Sequence, residues 1–263
     1  MMADPTLILF SVVEGIATLT LNRPEKRNAM NHIIVQELTA LFLRIQEDNA
    51  CRVVILKANG EHFCAGADIT WMQVIAKSSA EENLKDAKEL ATLLQLIYTF
   101  PKPVIVLAQG VTLGGGIGLI AAADIAIVAK SAKFAFPEVK LGISPSVISP
   151  YVIAAIGARA ARYYFFTAEE FNGNLAVQIG LAHQVVEANV LATTGESLAK
   201  QLLQLSSTTL TATKHLTHAV ATQNISEKLI EYTTQHLVER RASAEGREGL
   251  TAFLEKRPPE WLK

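Results

Sequence analysis

The sequence predicts an α/β body that ends in a helical appendage. Strand-like apolar runs alternate with amphipathic helical runs as far as about residue 190, and beyond it the strand signal stops. A third observation sharpens the class. Four glycines, Gly114, Gly115, Gly116 and Gly118, fall within five positions of an otherwise apolar stretch, where one such strand gives way to a helix. The expected division is a body over residues 1–190 and a helical region over 191–263.

The elements follow in order. "TLILFSVVEGIATLTLN" gives two β-rich runs joined at Glu14-Gly15, a hairpin signal. "HIIVQELTALFLRIQED" sets Ile34, Leu38, Leu41, Phe42 and Ile45 on one helical face. "CRVVILKA" is a continuous apolar run and predicts a strand buried on both faces. "EENLKDAKELATLLQLIYTF" predicts a long helix with Leu84, Ala87, Leu90, Leu94 and Ile97 aligned, ended by Pro101 and Pro103. "PVIVLAQG" and "DIAIVAK" are further buried strands on either side of a short helix that starts in the glycine run, and "HQVVEA" is the last strand. The segments "ATTGESLAKQLLQL", "TLTATKHLTHAVA" and "ISEKLIEYTTQHLVERRASAEGREGLTAFLEKR" are helical throughout.

Composition narrows the function. The chain has 263 residues, half of them hydrophobic, with 24 basic and 25 acidic side chains and no Lys/Arg-rich run. Such a balance argues against nucleic acid as a partner. No apolar run reaches membrane-spanning length, which argues against a membrane. Two cysteines, Cys51 and Cys64, argue against a disulfide framework and suit a reducing compartment. "MMADPTLILFSVVEG" shows no secretory signal, so the expected location is cytoplasmic. The six histidines lack metal-ligand spacing, and "SPSVISPY" lacks the G-x-S-x-G form of a serine hydrolase. Cys64 is expected to be a small buried thiol, Asp68 to cap the helix that follows it, and Asp124 to be structural. Lys140, Arg159 and Arg162 either meet a substrate carboxylate or coat a helix.

Glycine at a strand-to-helix bend lets backbone approach a ligand closely or adopt positive φ. The helix start then offers free N–H groups to an anion, a phosphate or a developing oxyanion. Gly116 to Ala121 fits the dinucleotide pattern G-x-G-x-x-A, but the next strand ends on Lys130 where an acid would hold a ribose. A second stretch, "HFCAGADITWM", again places small residues between a buried strand and a helix. Two such bends can each lend one main-chain N–H to a single oxygen, which is an oxyanion hole without a catalytic side chain.

The motifs "LNRPEKRNAMN", "HFCAGADI", "KPVIVLAQGVTLGGGIGL", "ADIAIVA" and "FAFPEVKLGI" occur in the order found in the crotonase, or enoyl-CoA hydratase/isomerase, superfamily, and the resemblance runs to "EGLTAFLEKRPPEW". Within it, "LGISPSVISPYVIAAIGARAARYYFFTAE" is most similar to methylglutaconyl-CoA hydratases. The resemblance implies a spiral of ββα units with a C-terminal helical trimerisation region, a homotrimer or dimer of trimers, and an acyl-CoA thioester as substrate. No cofactor is implied beyond the coenzyme A carried by that substrate.

By motif position the resemblance assigns the oxyanion hole to the Ala67 and Gly115 amides, next to Gly114. The turn Ala65, Gly66, Ala67, Asp68 and Ile69 would border the adenine end of CoA. Lys26 and Arg27 would lie near its phosphates, and Phe253 and Lys256 would reach it from the tail. The hydratases of the superfamily usually carry two glutamates. One corresponds to Glu138; the other falls at Gly118, and single-glutamate isomerases also occur. The space left at Gly118 is expected to hold water or a branched acyl group.

Overall fold

The computed structural model describes residues 6–262; of the amino-terminal stretch discussed above, residues 1–5 lie outside it. The hairpin forms as expected. Strands β1 (Ile8–Val13) and β2 (Ile16–Leu21) pair antiparallel across Glu14 and Gly15, both at positive φ. A short turn over Pro24–Lys26 leads to α1 (His32–Glu47), whose first turn is capped by the Asn31 side chain. Ile34, Leu38, Phe42 and Ile45 of α1 are fully buried. Next come β3 (Val53–Ala58), α2 (Ile69–Ile75) and α3 (Ala80–Tyr98), the last opened by a reciprocal Ser79–Glu82 capping box.

The apolar stripe of α3 is buried only towards its C-terminal end. Leu93, Leu94 and Ile97 are fully buried, whereas Leu84 is 54% exposed. The stripe fixes which face turns inwards but not how far along the helix burial runs.

Two ββα units follow. The first is β4 (Val104–Ala108), β5 (Val111–Leu113) and α4 (Gly115–Ala122); the second is β6 (Ile125–Ala129), β7 (Lys133–Ala135) and α5 (Ser149–Thr167), which is kinked at Gly157. Strand β8 (Phe171–Asn172), α6 (Gly173–Gln178) and β9 (Gln184–Val186) complete the body. In each ββα unit the first strand joins a six-stranded sheet of order β1-β2-β3-β4-β6-β9, parallel from β2 onwards. The second joins a small sheet of order β5-β7-β8. The chain therefore winds as the expected spiral.

Four helices end the chain: α7 (Leu191–Leu203), α8 (Ser207–Val220), α9 (Glu227–Ala242) and α10 (Ala244–Glu255). Helix α7 lies on the main sheet, so close that a Cβ on Gly195 would stand 2.6 Å from Leu107. Helix α8 is anchored by Lys214, whose ammonium donates to Asp124 Oδ2 at 2.9 Å. The same carboxylate oxygen accepts from Val104 N at the start of β4, which gives Asp124 the structural role expected of it. The long helical stretch before residue 257 breaks at Ser243, which leaves α9 in extended conformation and caps α10 through Gly246 N. No helix among the described residues is long and apolar enough to cross a membrane.

Candidate active site

The first bend follows β3. Phe63 N and Cys64 N donate to Gln109 O and Val111 O, and Leu113 N donates back to Cys64 O at 2.9 Å. Gly66, at φ +87°, then turns the chain away from Leu113. Residues 65–68 run beside residues 27–30: Ala65 N donates to Arg27 O, Met30 N to Gly66 O at 2.8 Å, and Asp68 N to Met30 O at 2.7 Å. Because a peptide is planar and trans, fixing the Gly66 carbonyl on Met30 aims the Ala67 N–H the other way. That N–H donates to no acceptor among the described residues, and Ala67 is exposed.

The second bend lies between β5 and α4. Gly114 has φ +47° and ψ −115°, a conformation closed to residues with a side chain. Its own N–H is held by Ala135 O, while the Gly115 N–H, first in α4, has no acceptor among the described residues. The two bends touch. A Cβ on Gly116 would stand 2.8 Å from Cys64 Cβ and 2.9 Å from Cys64 O. The fold thus brings together two free main-chain amides from separate small-residue turns, each at the start of a helix.

Glu138 sits beside them. Phe136 ends the extended chain after β7, and Pro137 starts a tight turn that closes at Gly142 in left-handed conformation. Glu138 Oε1 lies 2.8 Å from where a Gly114 Cβ would be. Oε2 is buried and has no hydrogen-bond partner among the described residues. Burial pushes this carboxyl above its usual pKa, partly offset by its own backbone N–H.

The space at Gly118 differs from expectation. It leaves no room beside Gly118 for a water or an acyl branch, because a Cβ there would be 2.5 Å from Ile148 Cγ2 and 3.3 Å from Leu94 Cδ1. Ile148, buried just before α5, fills the place of the second glutamate with hydrocarbon.

A family model described as enoyl-CoA hydratase/isomerase matches residues 11–263. The chain belongs to that family. It is 32% identical to the 1,2-epoxyphenylacetyl-CoA isomerase of Escherichia coli, across 97% of each chain. It is 31% identical to the crotonyl-CoA hydratase of Syntrophomonas wolfei, again across 97% of each. A solved structure of an enoyl-CoA hydratase from Shewanella pealeana superposes with a TM-score of 0.94 at 38% identity, covering 97% of this chain and 96% of that one. Membership is consistent with an acyl-CoA substrate, and relatives of similar identity carry both hydratase and isomerase names.

The remaining predicted residues lie on several elements. Lys26 and Arg27 are exposed beside the first bend, and Ile69 is 75% exposed on α2. Asp68 is different. It is buried at 4% exposure, caps α2 through Trp71 N at 3.0 Å and meets Arg23 Nη1 at 2.5 Å, so its carboxylate is already engaged. Phe253 and Lys256 are exposed on and just after α10, without side-chain polar or ring partners among the described residues. Lys140, Arg159 and Arg162 are exposed. Cys64 is fully buried with its thiol pushed up to about 11 by burial, far from a nucleophile's range.

Sequence reasoning missed Asn28, Arg23, Met30 and Ile148. Asn28 is fully buried at φ +53°. It donates to Asn59 O at 2.9 Å and His62 O at 2.7 Å and accepts from Arg23 N at 2.8 Å, tying the first bend to the chain before α1. The signal was present in "LNRPEKRNAMN", since Asn is the residue that most readily takes left-handed conformation after glycine. A cavity of about 740 Å³, lined by Lys57, Gln109, Lys133 and Leu191 among others, backs onto His62 and Gly110 but contains neither free amide nor Glu138.

Proposed function

We propose that the protein is a hydratase of α,β-unsaturated acyl-CoA thioesters, with a branched, methylglutaconyl-like acyl group as its preferred substrate. Water adds at Cβ and a proton reaches Cα, while negative charge gathers on the thioester oxygen as an enolate. The Ala67 and Gly115 amides receive that charge, each contributing on the order of 3 kcal/mol to the barrier reduction. Glu138 takes the proton from water and then delivers it to Cα; one carboxylate serves both steps when addition is to one face. The observation that carries the reading is the Glu138 carboxyl, its Oε1 against the Gly114 bend beside the two free amides and its buried Oε2 without a hydrogen-bond partner among the described residues. The acyl preference rests on the likeness of the segment around residues 141–169.

In this reading Ala65, Gly66 and Ile69 border the adenine, and Lys26 and Arg27 meet the CoA phosphates. Phe253 and Lys256 reach the CoA of their own or a neighbouring subunit. The assembly is a homotrimer or a dimer of trimers, supported by exposed Leu237, Val238, Leu250 and Leu254 on α9 and α10. The body ends near residue 190, and the protein works in the cytoplasm, in keeping with two free cysteines.

One observation favours a second reading. With Ile148 over Gly118, hydrocarbon stands in place of a second glutamate, which suits a Δ3–Δ2 isomerase that moves one proton from Cα to Cγ without water. A silent acyl-CoA binder is disfavoured, because a buried unpartnered carboxylate has no use in binding alone. Incubation with crotonyl-CoA, 3-methylglutaconyl-CoA and a 3-enoyl-CoA in heavy-oxygen water separates them. Heavy oxygen in a 3-hydroxyacyl product is expected. Isomerised product alone, without label, overturns the hydratase reading, and binding without turnover overturns both enzymes.

A further inference from the structure

We propose that Arg23 is a positioning residue of the oxyanion hole, acting through Asp68 to hold the Ala67 amide and to cancel a negative charge beside it. The inference rests on the reading of that amide as an oxyanion donor. Asp68 follows Ala67 directly, and its carboxylate is buried. Burial alone would push its pKa up, but the Trp71 amide and the Arg23 guanidinium outweigh this and hold the carboxyl below its usual value, so it is ionised at neutral pH. A bare carboxylate one residue from the hole would repel the enolate that the hole is built to receive. Arg23 Nη1 lies 2.5 Å from Asp68 Oδ2, and the Arg23 side chain is only 18% exposed.

The pair is also a mechanical link. Arg23 N donates to Asn28 Oδ1, and Asn28 in turn holds the carbonyls of Asn59 and His62, at the two ends of the turn that enters the first bend. Capping explains only half of the site. Trp71 N uses Asp68 Oδ1, and an Asn would cap the helix as well. The guanidinium on Oδ2 is the part that capping leaves without a purpose.

The experiment is a double-mutant cycle of Arg23→Gln and Asp68→Asn with two readouts. The first is kcat and KM on whichever enoyl-CoA the protein turns over. The second is the red shift of a bound, conjugated push–pull enoyl thioester, which reports carbonyl polarisation without turnover. Arg23→Gln is expected to lower kcat by roughly tenfold or more with a much smaller change in KM, and to diminish the red shift. Removing the unpaired charge in the double variant is expected to recover most of the lost kcat and shift.

A double variant no better than Arg23→Gln overturns the proposal, as does a red shift unmoved by Arg23→Gln. If Arg23→Gln does not fold, Arg23→Lys keeps the charge without the planar fork. It is expected to retain most of the wild-type red shift, and loss of the shift in that folded variant overturns the charge argument. Should the wild type bind the probe with no red shift at all, the oxyanion reading itself fails. A shift that is present but indifferent to residue 23 sinks only the inference drawn here.

Discussion

Replacing Gly116 by Ala tests the contact between the two bends most directly. In an exposed helix this change would stabilise the protein by about 1 kcal/mol. Here the new methyl would stand 2.8 Å from Cys64 Cβ, 2.9 Å from Cys64 O and 3.1 Å from its sulfur, where ordinary contact begins near 3.4 Å. Two of those three atoms, the Cβ and the carbonyl oxygen, cannot move by a side-chain rotation, and Cys64 is fully buried. The bends must therefore separate by roughly half an ångström, at an overpacking cost of about 1–3 kcal/mol.

Against the helix-propensity gain, the net loss of stability is about 0–2 kcal/mol. The effect on rate is larger. Oxyanion donors act over about 2.7–3.1 Å, so a shift of that size weakens at least one of them, and kcat should fall by about 10- to 100-fold. The assay is steady-state turnover of an enoyl-CoA beside a thermal melt of the same sample. A Gly116→Ala protein with wild-type kcat would refute the coupling of the bends, whatever its melting temperature.

Glu138→Gln should abolish most turnover and yet stabilise the fold at neutral pH. Burial raises the folded-state pKa of Glu138, so this group favours folding in its neutral form at low pH and opposes folding once it is ionised. The gain in melting temperature of Glu138→Gln over wild type should thus be small in acid and grow as pH rises through that raised pKa; a gain that is the same at every pH would count against a buried carboxylate. Gly118→Ala should lose about 1–3 kcal/mol to the clash with Ile148 Cγ2, and Ile148→Ala in the same chain should relieve part of it, giving a coupling of about 1 kcal/mol in a denaturation cycle. Strict additivity of the two would mean that the side chains at 118 and 148 do not meet.

The main sheet was legible because its inner strands are buried on both faces and so appear as unbroken apolar runs, as in Val104–Ala108 and Ile125–Ala129. The two bends were legible for a different reason: small residues in the middle of apolar sequence have few uses. The small sheet was not legible. Strands β5 and β7 have three residues each and β8 two, too few to show a period of two.

Contacts between distant segments were hidden as well. Arg23 and Asp68 are 45 residues apart, and Gly118 and Ile148 are 30 apart, so no local pattern joins them. Ile148 also looked unremarkable in a segment whose value lay in its resemblance. Leu84 failed as a core residue because periodicity says which face of a helix is buried and not how far along it burial runs.

The four glycines turn out to have distinct reasons. Gly114 supplies a backbone conformation, Gly116 a contact with the other bend, and Gly118 the seat of Ile148; beside Gly115 a methyl would meet the mobile end of Met30. Each glycine gives up about 0.5–1 kcal/mol more backbone entropy on folding than alanine would, a few kcal/mol together, a loss that the conformation at Gly114 and the contacts at Gly116 and Gly118 impose. In the proposed mechanism that loss is offset in a different quantity, the barrier height, by donors worth about 3 kcal/mol each. The exchange holds only if backbone, and not side chain, faces the thioester. At Gly118 the hydrocarbon of Ile148 stands where a second carboxylate would be, and burial raises the proton affinity of Glu138 without a like-charged neighbour contributing. In the proposed hydratase a water is then oriented by Glu138 and the substrate without a second carboxylate at position 118, and the face of addition is set by the one side of the double bond that Glu138 can reach.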